Sequence, residues 1–247
     1  MIFRSVMQML PALLFVATLL PFTAAHAGVV IAGTRVVYPA QEKEVTVSLQ
    51  NAGQRPALVQ LWIDDGDQDT PPELAKAPFV VTPPLLRMEG GDKQAMRIRF
   101  AGAAQPTDRE SVFWLNMLEI PPSSDGSEEQ LELAFRSRIK LFYRPAGLPG
   151  DAESAHRQLR WSLQRGAQGI SLHVDNPTAW HVSFADVGLR VGGVEAGEAG
   201  SGMVAPRSSQ TFVIEGLSAV PPGTPSVAYR TITDLGAVQQ AVAPLPE

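Results

Sequence analysis

The chain has 247 residues, which is enough for two domains that each bury a core of their own. It contains 20 basic and 25 acidic residues, and this balance gives no bulk electrostatic attraction to nucleic acid. The absence of cysteine excludes disulfide bonds and thiolate chemistry, so packing alone must hold the fold together.

The first 27 residues have the pattern of a secretory signal peptide. An apolar stretch over residues 10–22 is followed by TAAHAG, which puts Ala25 and Ala27 at the small-residue positions of a signal-peptidase site. We therefore predict cleavage after Ala27 and export from the cytoplasm. The alternative is a retained membrane anchor. It fits less well, because the stretch falls short of the roughly 20 apolar residues that span a bilayer and contains Pro11.

Short alternating runs dominate the next part of the chain. Apolar residues recur at every second position over residues 45–49, 59–63 and 96–100, and the turn-forming segments NAGQRP, DDGD and EGGDK separate these runs. This spacing is typical of an antiparallel β-sandwich. The sequence therefore predicts an N-terminal β-sandwich domain over residues 28–147.

The acidic segment DDGDQDTPPELAK has some features of a calcium loop. Asp65, Asp67 and Asp69 have the first three ligand spacings of an EF-hand. The position that requires glycine is Thr70, however, and the position of the bidentate glutamate is Lys76. We therefore interpret the segment as a solvated acidic loop and predict no metal site there.

The most informative segment is LELAFRSRIKLFYRP, which covers residues 131–145. Apolar residues occupy one parity and polar residues most of the other, which is the period of a strand with one apolar face. The apolar set is Leu131, Leu133, Phe135, Ile139, Leu141 and Tyr143. At about 3.3 Å per residue the strand would reach roughly 40 Å, about twice the usual length. We therefore expect a partner to cover the apolar half that the domain itself cannot cover.

The second half of the chain also has strand patterns. Residues 148–155 form a polar, Gly-, Pro- and Ala-containing linker. Two alternating runs, at residues 159–163 and 170–174, flank RGAQG and predict a hairpin. The pattern continues to a final strand near residues 226–233, so we predict a C-terminal β-sandwich domain over residues 156–247.

The sequence lacks the usual signals of soluble enzymes. There is no G-x-S-x-G elbow, no phosphate-binding glycine loop and no His–Glu metal motif. His156, His173 and His181 lack zinc-site spacing, and we interpret them as incidental. A non-catalytic binding protein without a metal or cofactor is favoured. A secreted hydrolase with an unfamiliar site is the enzymatic alternative.

Two segments resemble the signature of periplasmic pilus (fimbrial) chaperones of the chaperone–usher pathway. They are DRESVFWLNMLEIPP, at residues 108–122, and IKLFYRP, at residues 139–145. The resemblance extends over the mature chain through GTRVVYP, TPPLLRMEGGDKQAMRIRF, DNPTAWHV, VAPRSSQTF and TITDLG. It implies an all-β fold of two immunoglobulin-like sandwich domains, which meet at an angle with a cleft between them.

The resemblance also implies partners and a binding site. The partners would be pilus subunits and an outer-membrane usher, with no nucleic acid and no membrane insertion. Arg35 and Lys140 match the two cleft residues that hold the C-terminal carboxylate of a subunit in this family. By position, the donor-strand side chains that enter the subunit groove would be Leu131, Leu133 and Phe135. The exposed strand edge also leads us to expect some self-association of the free chain.

Three further positions match an interdomain salt-bridge network of the family, namely Glu110, Arg144 and Asp234. Their expected role is to fix the angle between the domains. The loop over residues 121–130 is short and has no cysteine pair, which is similar to the short-loop branch that serves rod-like pili. The structural alternative is a pilus subunit or a secreted adhesin, which would have its own N-terminal donor extension and usually a disulfide; neither is evident after Gly28.

Overall fold

The computed structural model describes residues 28–122, 133–166 and 169–246. The predicted signal peptide, Leu131 and residues 123–130 of the short loop lie outside the described residues. Two β-sandwiches account for almost all of the described chain, so the predicted all-β, two-domain fold is confirmed.

The first sandwich packs a four-stranded sheet on a five-stranded sheet. Its strands are β1 (Val29–Ile31), β2 (Arg35–Pro39), β3 (Val45–Asn51), β4 (Ala57–Asp64), β5 (Phe79–Thr82), β6 (Leu85–Met88), β7 (Lys93–Phe100), β8 (Ser111–Ile120) and β9 (Phe135–Arg144). The sheet orders are β1-β3-β7-β5 and β2-β9-β8-β4-β6. The three predicted runs lie in β3, β4 and β7, and their inward residues, such as Leu49, Val59 and Ile98, are buried in the core.

The chain changes sheets between its first two strands. β1 pairs with β3 in one sheet, whereas β2 runs parallel to β9 in the other. Gly33, between them, has a φ of 104°, a left-handed conformation that glycine adopts without steric cost. β2 pairs only with Lys140–Arg144 of β9. Among the described residues, the outer edge of residues 135–139 therefore has no neighbouring strand.

β9 differs from its predicted form in two ways. It begins at Phe135, and residues 133–134 precede it without strand structure. Leu141 is fully buried in the domain's own core, and Ile139 and Tyr143 pack against that core. Only the other half of the apolar face is therefore left for a partner to cover, because the second sheet already covers this half.

The second sandwich packs a three-stranded sheet on a four-stranded sheet. Its strands are β10 (Arg160–Gly166), β11 (Gly169–Asn176), β12 (Val182–Val191), β13 (Val194–Val204), β14 (Ser208–Val213), β15 (Pro225–Ile232) and β16 (Val238–Pro244). The sheet orders are β10-β11-β14 and β13-β12-β15-β16. The predicted hairpin is confirmed, since Leu163 lies opposite Leu172 across β10 and β11.

The prediction that the last strand lies near residues 226–233 is wrong. β15 occupies that region, and β16 follows it in antiparallel pairing. The side chains of β16 that pack towards the core are the small Ala241 and Ala243, while Val238 and Val242 point outwards. The usual contrast between apolar inward and polar outward residues is absent, which explains why the alternation signal failed here.

Only short 3-10 turns, Pro72–Leu74 and Ala155–Gln158, interrupt the strands in the described ranges. The second turn begins at the last residue of the predicted linker and contributes the buried Ala155 to the C-terminal core. No helix among the described residues has the length and apolar character needed to cross a bilayer.

Candidate functional site

The unpaired half of β9 exposes large apolar side chains. Leu133 is 53% exposed and Phe135 is 61% exposed, although Phe135 has the same parity as the buried Leu141. With Glu119, Pro121 and other residues at this end of the sandwich, they line a shallow depression of about 380 Å³. An apolar surface next to an unpaired strand edge can accept an additional strand from another chain.

Arg35 and Lys140 lie directly opposite each other in the parallel pairing of β2 and β9. Their side chains point towards the second sandwich: Arg35 Nη1 donates to Ile232 O at 2.9 Å, and Lys140 Nζ lies 3.5 Å from Ser183 Oγ. The Arg35 guanidinium is also 5.6 Å from the centre of the Phe142 ring. The two cations therefore lie at the interface between the domains.

Nearby acidic groups balance the positive charges of Arg35 and Lys140 only in part. Burial lowers the pKa of Lys140, and the positive charge of Arg35 lowers it further. Burial also lowers the pKa of Arg35, although Asp234 and Glu110 act in the opposite direction. Arg35 Nε is buried without a hydrogen-bond partner, and neither cation forms a salt bridge within the described residues. A carboxylate placed between them would therefore be held by charge-assisted hydrogen bonds.

Arg144, at the end of β9, joins the two domains through ion pairs. Its Nε donates to Glu110 Oε1 at 2.8 Å, and its Nη1 donates to Asp234 Oδ2 at 2.7 Å. The guanidinium also lies 4.9 Å from the centre of the Trp180 ring. Burial opposes the charged form of Arg144, but the hydrogen bonds and charges of Asp234 and Glu110 outweigh it and raise its pKa. The side chain of Glu110 is only 2% exposed, so its pairing with Arg144 is not a surface salt bridge.

His181 belongs to the same network, and its interpretation as incidental is wrong. Its backbone N donates to Glu110 Oε2 at 2.9 Å, and its Nδ1 lies 3.2 Å from the same oxygen. The ring also packs 5.4 Å from that of Phe142. No local sequence pattern predicts these contacts, because Glu110 and His181 are 71 residues apart and belong to different domains.

A second ion pair crosses the domain interface. Arg207 contacts the carboxylate of Asp108, and its Nη2 donates to Asp108 O at 3.2 Å. Its backbone has a φ of 51°, the only positive value of a residue other than glycine in the described part of the chain. Left-handed backbone is strained for a residue with a side chain, and the turn that contains Arg207 is fixed within the C-terminal domain, where Arg207 N donates to Thr178 O at 3.1 Å.

A polar cluster without a predicted role lies on the face of the five-stranded sheet that points away from the N-terminal core. The buried carboxylate of Asp64, at the end of β4, accepts hydrogen bonds from Arg138 Nη2 at 2.6 Å, Asn116 Nδ2 at 2.7 Å and Gly66 N at 2.8 Å. Asn116 Oδ1 accepts two more from Arg136, at 2.8 and 3.0 Å. Asp64, Asn116, Arg136 and Arg138 are termed the Asp64 network.

Two tryptophans flank this network. The Arg136 guanidinium lies 4.9 Å from the centre of the Trp62 ring, and that of Arg138 lies 4.0 Å from the Trp114 ring. Such stacking attracts each guanidinium to the face of its ring and restricts the rotamers of each arginine. Burial acts to raise the pKa of Asp64, but the hydrogen bonds from Arg138, Asn116 and Gly66 outweigh this effect and hold it below its ordinary value.

The acidic segment after β4 forms a local turn. Asp67 accepts hydrogen bonds from Asp69 N at 3.0 Å and from Thr70 Oγ1 at 2.8 Å. In the ranges that the structure describes, no three His, Asp or Glu side chains converge as metal ligands would.

Comparison with known protein families gives two matches that together cover most of the chain. Residues 28–149 match the model described as "Pili and flagellar-assembly chaperone, PapD N-terminal domain". Residues 154–243 match "Pili assembly chaperone PapD, C-terminal domain".

Individual relatives are similar over nearly their whole length. The chaperone protein FimB/FhaD of Bordetella pertussis is 44% identical over 232 residues, which cover 89% of this chain and 90% of the relative. The solved CupB2 chaperone of Pseudomonas aeruginosa has a TM-score of 0.74 at 41% identity, covering 88% of this chain and all of that one. The SafB chaperone of Salmonella enterica, solved in complex with the SafA pilin, has a TM-score of 0.72 at 31% identity, covering 88% of this chain and 96% of that one.

Proposed function

The chain belongs to the family of pilus-assembly chaperones with PapD-type N- and C-terminal domains, and from this premise we propose how it works. It acts in the periplasm, where it binds, folds and caps pilus subunits by donor-strand complementation and delivers them to an outer-membrane usher. The similarity to a chaperone solved with a pilin supports this proposal. A role as pilus subunit or adhesin is not favoured, because both domains match chaperone models.

One observation carries the binding mode: the free edge of β9 lies beside exposed apolar side chains. Residues 135–139 have β8 on one side and no described strand on the other. A subunit strand would pair with this edge through backbone hydrogen bonds, while Leu133 and Phe135 enter the subunit groove. Each such side chain would contribute about 1.5–3 kcal/mol of burial before ordering costs are subtracted. Leu131 would continue the series by its position in the sequence.

Arg35 and Lys140 would fix the register of that pairing. They would hold the subunit's terminal carboxylate through charge-assisted hydrogen bonds, worth roughly 1.5–3 kcal/mol each. Register matters because a slip of one residue turns every apolar side chain to the opposite face of the strand. The direct pairing of Arg35 with Lys140 across β2 and β9 and the buried, unpartnered Arg35 Nε support this assignment.

The decisive experiment is recovery of soluble client from the periplasm. Cells that express the chain with the pilus subunits of its own host should yield a co-purifying subunit, which mass spectrometry identifies. Lys140→Ala and Arg35→Ala should leave a folded chain that recovers far less subunit, because the carboxylate anchor is lost. Lys93→Ala, which removes an exposed lysine from β7, is the matched control and should behave as wild type. Wild-type recovery with both cleft variants would refute the anchor, and no co-purifying subunit at all would refute the function.

A further inference from the structure

The Asp64 network holds the half of β9 that lacks an outer neighbour, and two of its members, Arg136 and Arg138, belong to that half. Both lie within the unpaired stretch 135–139, and their side chains alternate with Phe135 and so occupy the opposite face. The group of side chains that anchors them comes from β4 and β8, the next two strands of the sheet. The polar contacts therefore lie where the backbone of β9 pairs with another strand on one side only.

Each arginine is fixed at more than one point. Arg138 donates to both oxygens of Asp64, with Nε at 3.1 Å from Oδ2 and Nη2 at 2.6 Å from Oδ1, and also to Gly66 O at 3.0 Å. Arg136 donates two hydrogen bonds to Asn116 Oδ1, and its Nη1 donates to Gln68 O at 2.6 Å. Side-chain hydrogen bonds thus link residues 135–139 to β4, to β8 and to the turn after β4.

This arrangement compensates for a missing strand. A strand at a sheet edge is bonded on one side only, and such elements open more readily than central strands. Bidentate arginine–carboxylate contacts are geometrically specific, and stacking on Trp62 and Trp114 restricts both arginines further. The side chains hold the strand in place without covering its free backbone edge.

We propose that Asp64 is a positioning residue for the donor strand. Through Arg138, Asn116 and Arg136 it keeps residues 135–139 extended and in register before a subunit arrives. Preorganisation of this kind raises affinity because less ordering remains to be done on binding. The inference rests on the proposed function for its consequence, but its structural part concerns the free chain alone.

Hydrogen exchange of the free chain separates this role from general stability. In Asp64→Asn, the amides of residues 135–139 that bond to β8 should exchange roughly tenfold faster or more, because a buried, charged hydrogen-bond partner is lost. The amides of β3 and β7, in the opposite sheet, should keep their wild-type rates. Asp186→Asn, which removes the acidic partner of Arg230 in the C-terminal domain, is the matched control and should leave residues 135–139 unchanged.

A second variant tests the geometry if Asp64→Asn does not fold. Arg138→Lys keeps a positive charge beside Asp64 but loses the two-point contact and the planar stacking on Trp114. It should accelerate exchange in the same stretch to a smaller degree. Equal acceleration across β3, β7 and β9, or none in residues 135–139, would overturn the proposal.

The consequence for binding is measured with the subunit that co-purifies with the wild-type chain. Asp64→Asn should recover less of it, by about the factor found in the exchange of residues 135–139. Local acceleration with undiminished recovery would overturn the positioning role in binding. If the wild-type chain recovers no subunit, the proposed function fails, whereas the exchange result still decides whether Asp64 holds the strand.

Discussion

The two sandwiches complete their sheets in different ways. In the C-terminal domain, β16 pairs with β15 from Val238 to Pro244, and the small Ala241 and Ala243 pack against the core. In the N-terminal domain, β2 reaches only the second half of β9, and Leu133 and Phe135 stay exposed beyond it. Among the described residues, both sheets therefore have a free strand edge, but the whole of β16 forms it in the C-terminal domain, whereas in the N-terminal domain only the first half of β9 is left without an outer neighbour.

An open edge does not weaken the core behind it in the N-terminal domain. Leu115 on β8 and Leu141 on β9 are both fully buried, so the N-terminal core is complete next to the gap. The gap comes from the change of sheets at Gly33, which moves the strand that would have paired with residues 135–139. In most proteins, charges, proline or short strands prevent a free edge from pairing with another chain. This edge is instead flanked by apolar side chains that suit a partner.

A charge on the open edge should have the largest effect. Phe135→Glu should lower the apparent affinity for subunit by roughly 100-fold or more, because apolar burial is lost and a carboxylate enters an apolar groove. Val242→Glu is the matched control, since Val242 is 56% exposed on β16, the edge strand of the C-terminal domain, close to the 61% of Phe135. Titrated pull-down of the subunit is the measurement, with circular dichroism to confirm folding. A similar loss with both variants would remove the distinction between the edges.

Loss of the link between the two domains should come next. Arg144→Ala leaves the buried Glu110 with only the His181 contacts, and we expect the free energy of unfolding to fall by roughly 2–3 kcal/mol. The interdomain distance distribution from solution scattering should broaden while each sandwich stays folded. Arg230→Ala, which breaks an exposed ion pair inside the C-terminal domain, is the control and should leave the scattering unchanged. An unaltered scattering profile for Arg144→Ala would contradict the role in orientation.

Because the pKa of Lys140 is lowered, folding stability and subunit affinity should change with pH in opposite directions. The unfolded chain binds a proton at Lys140 more tightly than the folded chain does, so stability should rise with pH from the folded pKa up to the ordinary lysine value of 10.5. A bound carboxylate needs the charged form, so subunit affinity should fall over the same window. Denaturation and binding measured at several pH values, each relative to Lys140→Ala, test both trends. Lys140→Arg should move the loss of affinity to higher pH, because arginine stays charged.

The smallest effect is expected at the second interdomain pair. Asp108 and Arg207 are about half exposed, so the pair should contribute at most about 1 kcal/mol. Arg207→Ala should therefore destabilise the chain slightly. Arg207→Gly loses the same pair but relieves the left-handed backbone, so it should be about 1 kcal/mol more stable than Arg207→Ala. Equal stability of the two variants in urea unfolding would argue against backbone strain at this position.

Strands with a clear alternation of apolar and polar residues could be predicted from the sequence. Alternation predicted β3, β4 and β7, the β10–β11 hairpin followed from two runs around a turn, and the family motifs predicted the two-domain fold. The placement of Arg35 and Lys140 side by side agrees with the pairing of β2 and β9. The signal failed at β16, where alanines replace large apolar residues on the inward side.

Two features could be known only from the tertiary structure. One is which half of β9 is buried, and the other is which polar residues form hydrogen bonds with each other. Leu141 and Phe135 have the same parity, yet one is in the core and the other is exposed, because the opposite sheet covers the face of β9 at Leu141 and not at Phe135. Asp64 and Arg138 are 74 residues apart, and Glu110 and His181 lie in different domains. Periodicity reports which face of a strand a side chain occupies, but the neighbour on that face depends on sheet order and register. Those are set by contacts between distant segments, which no local pattern contains.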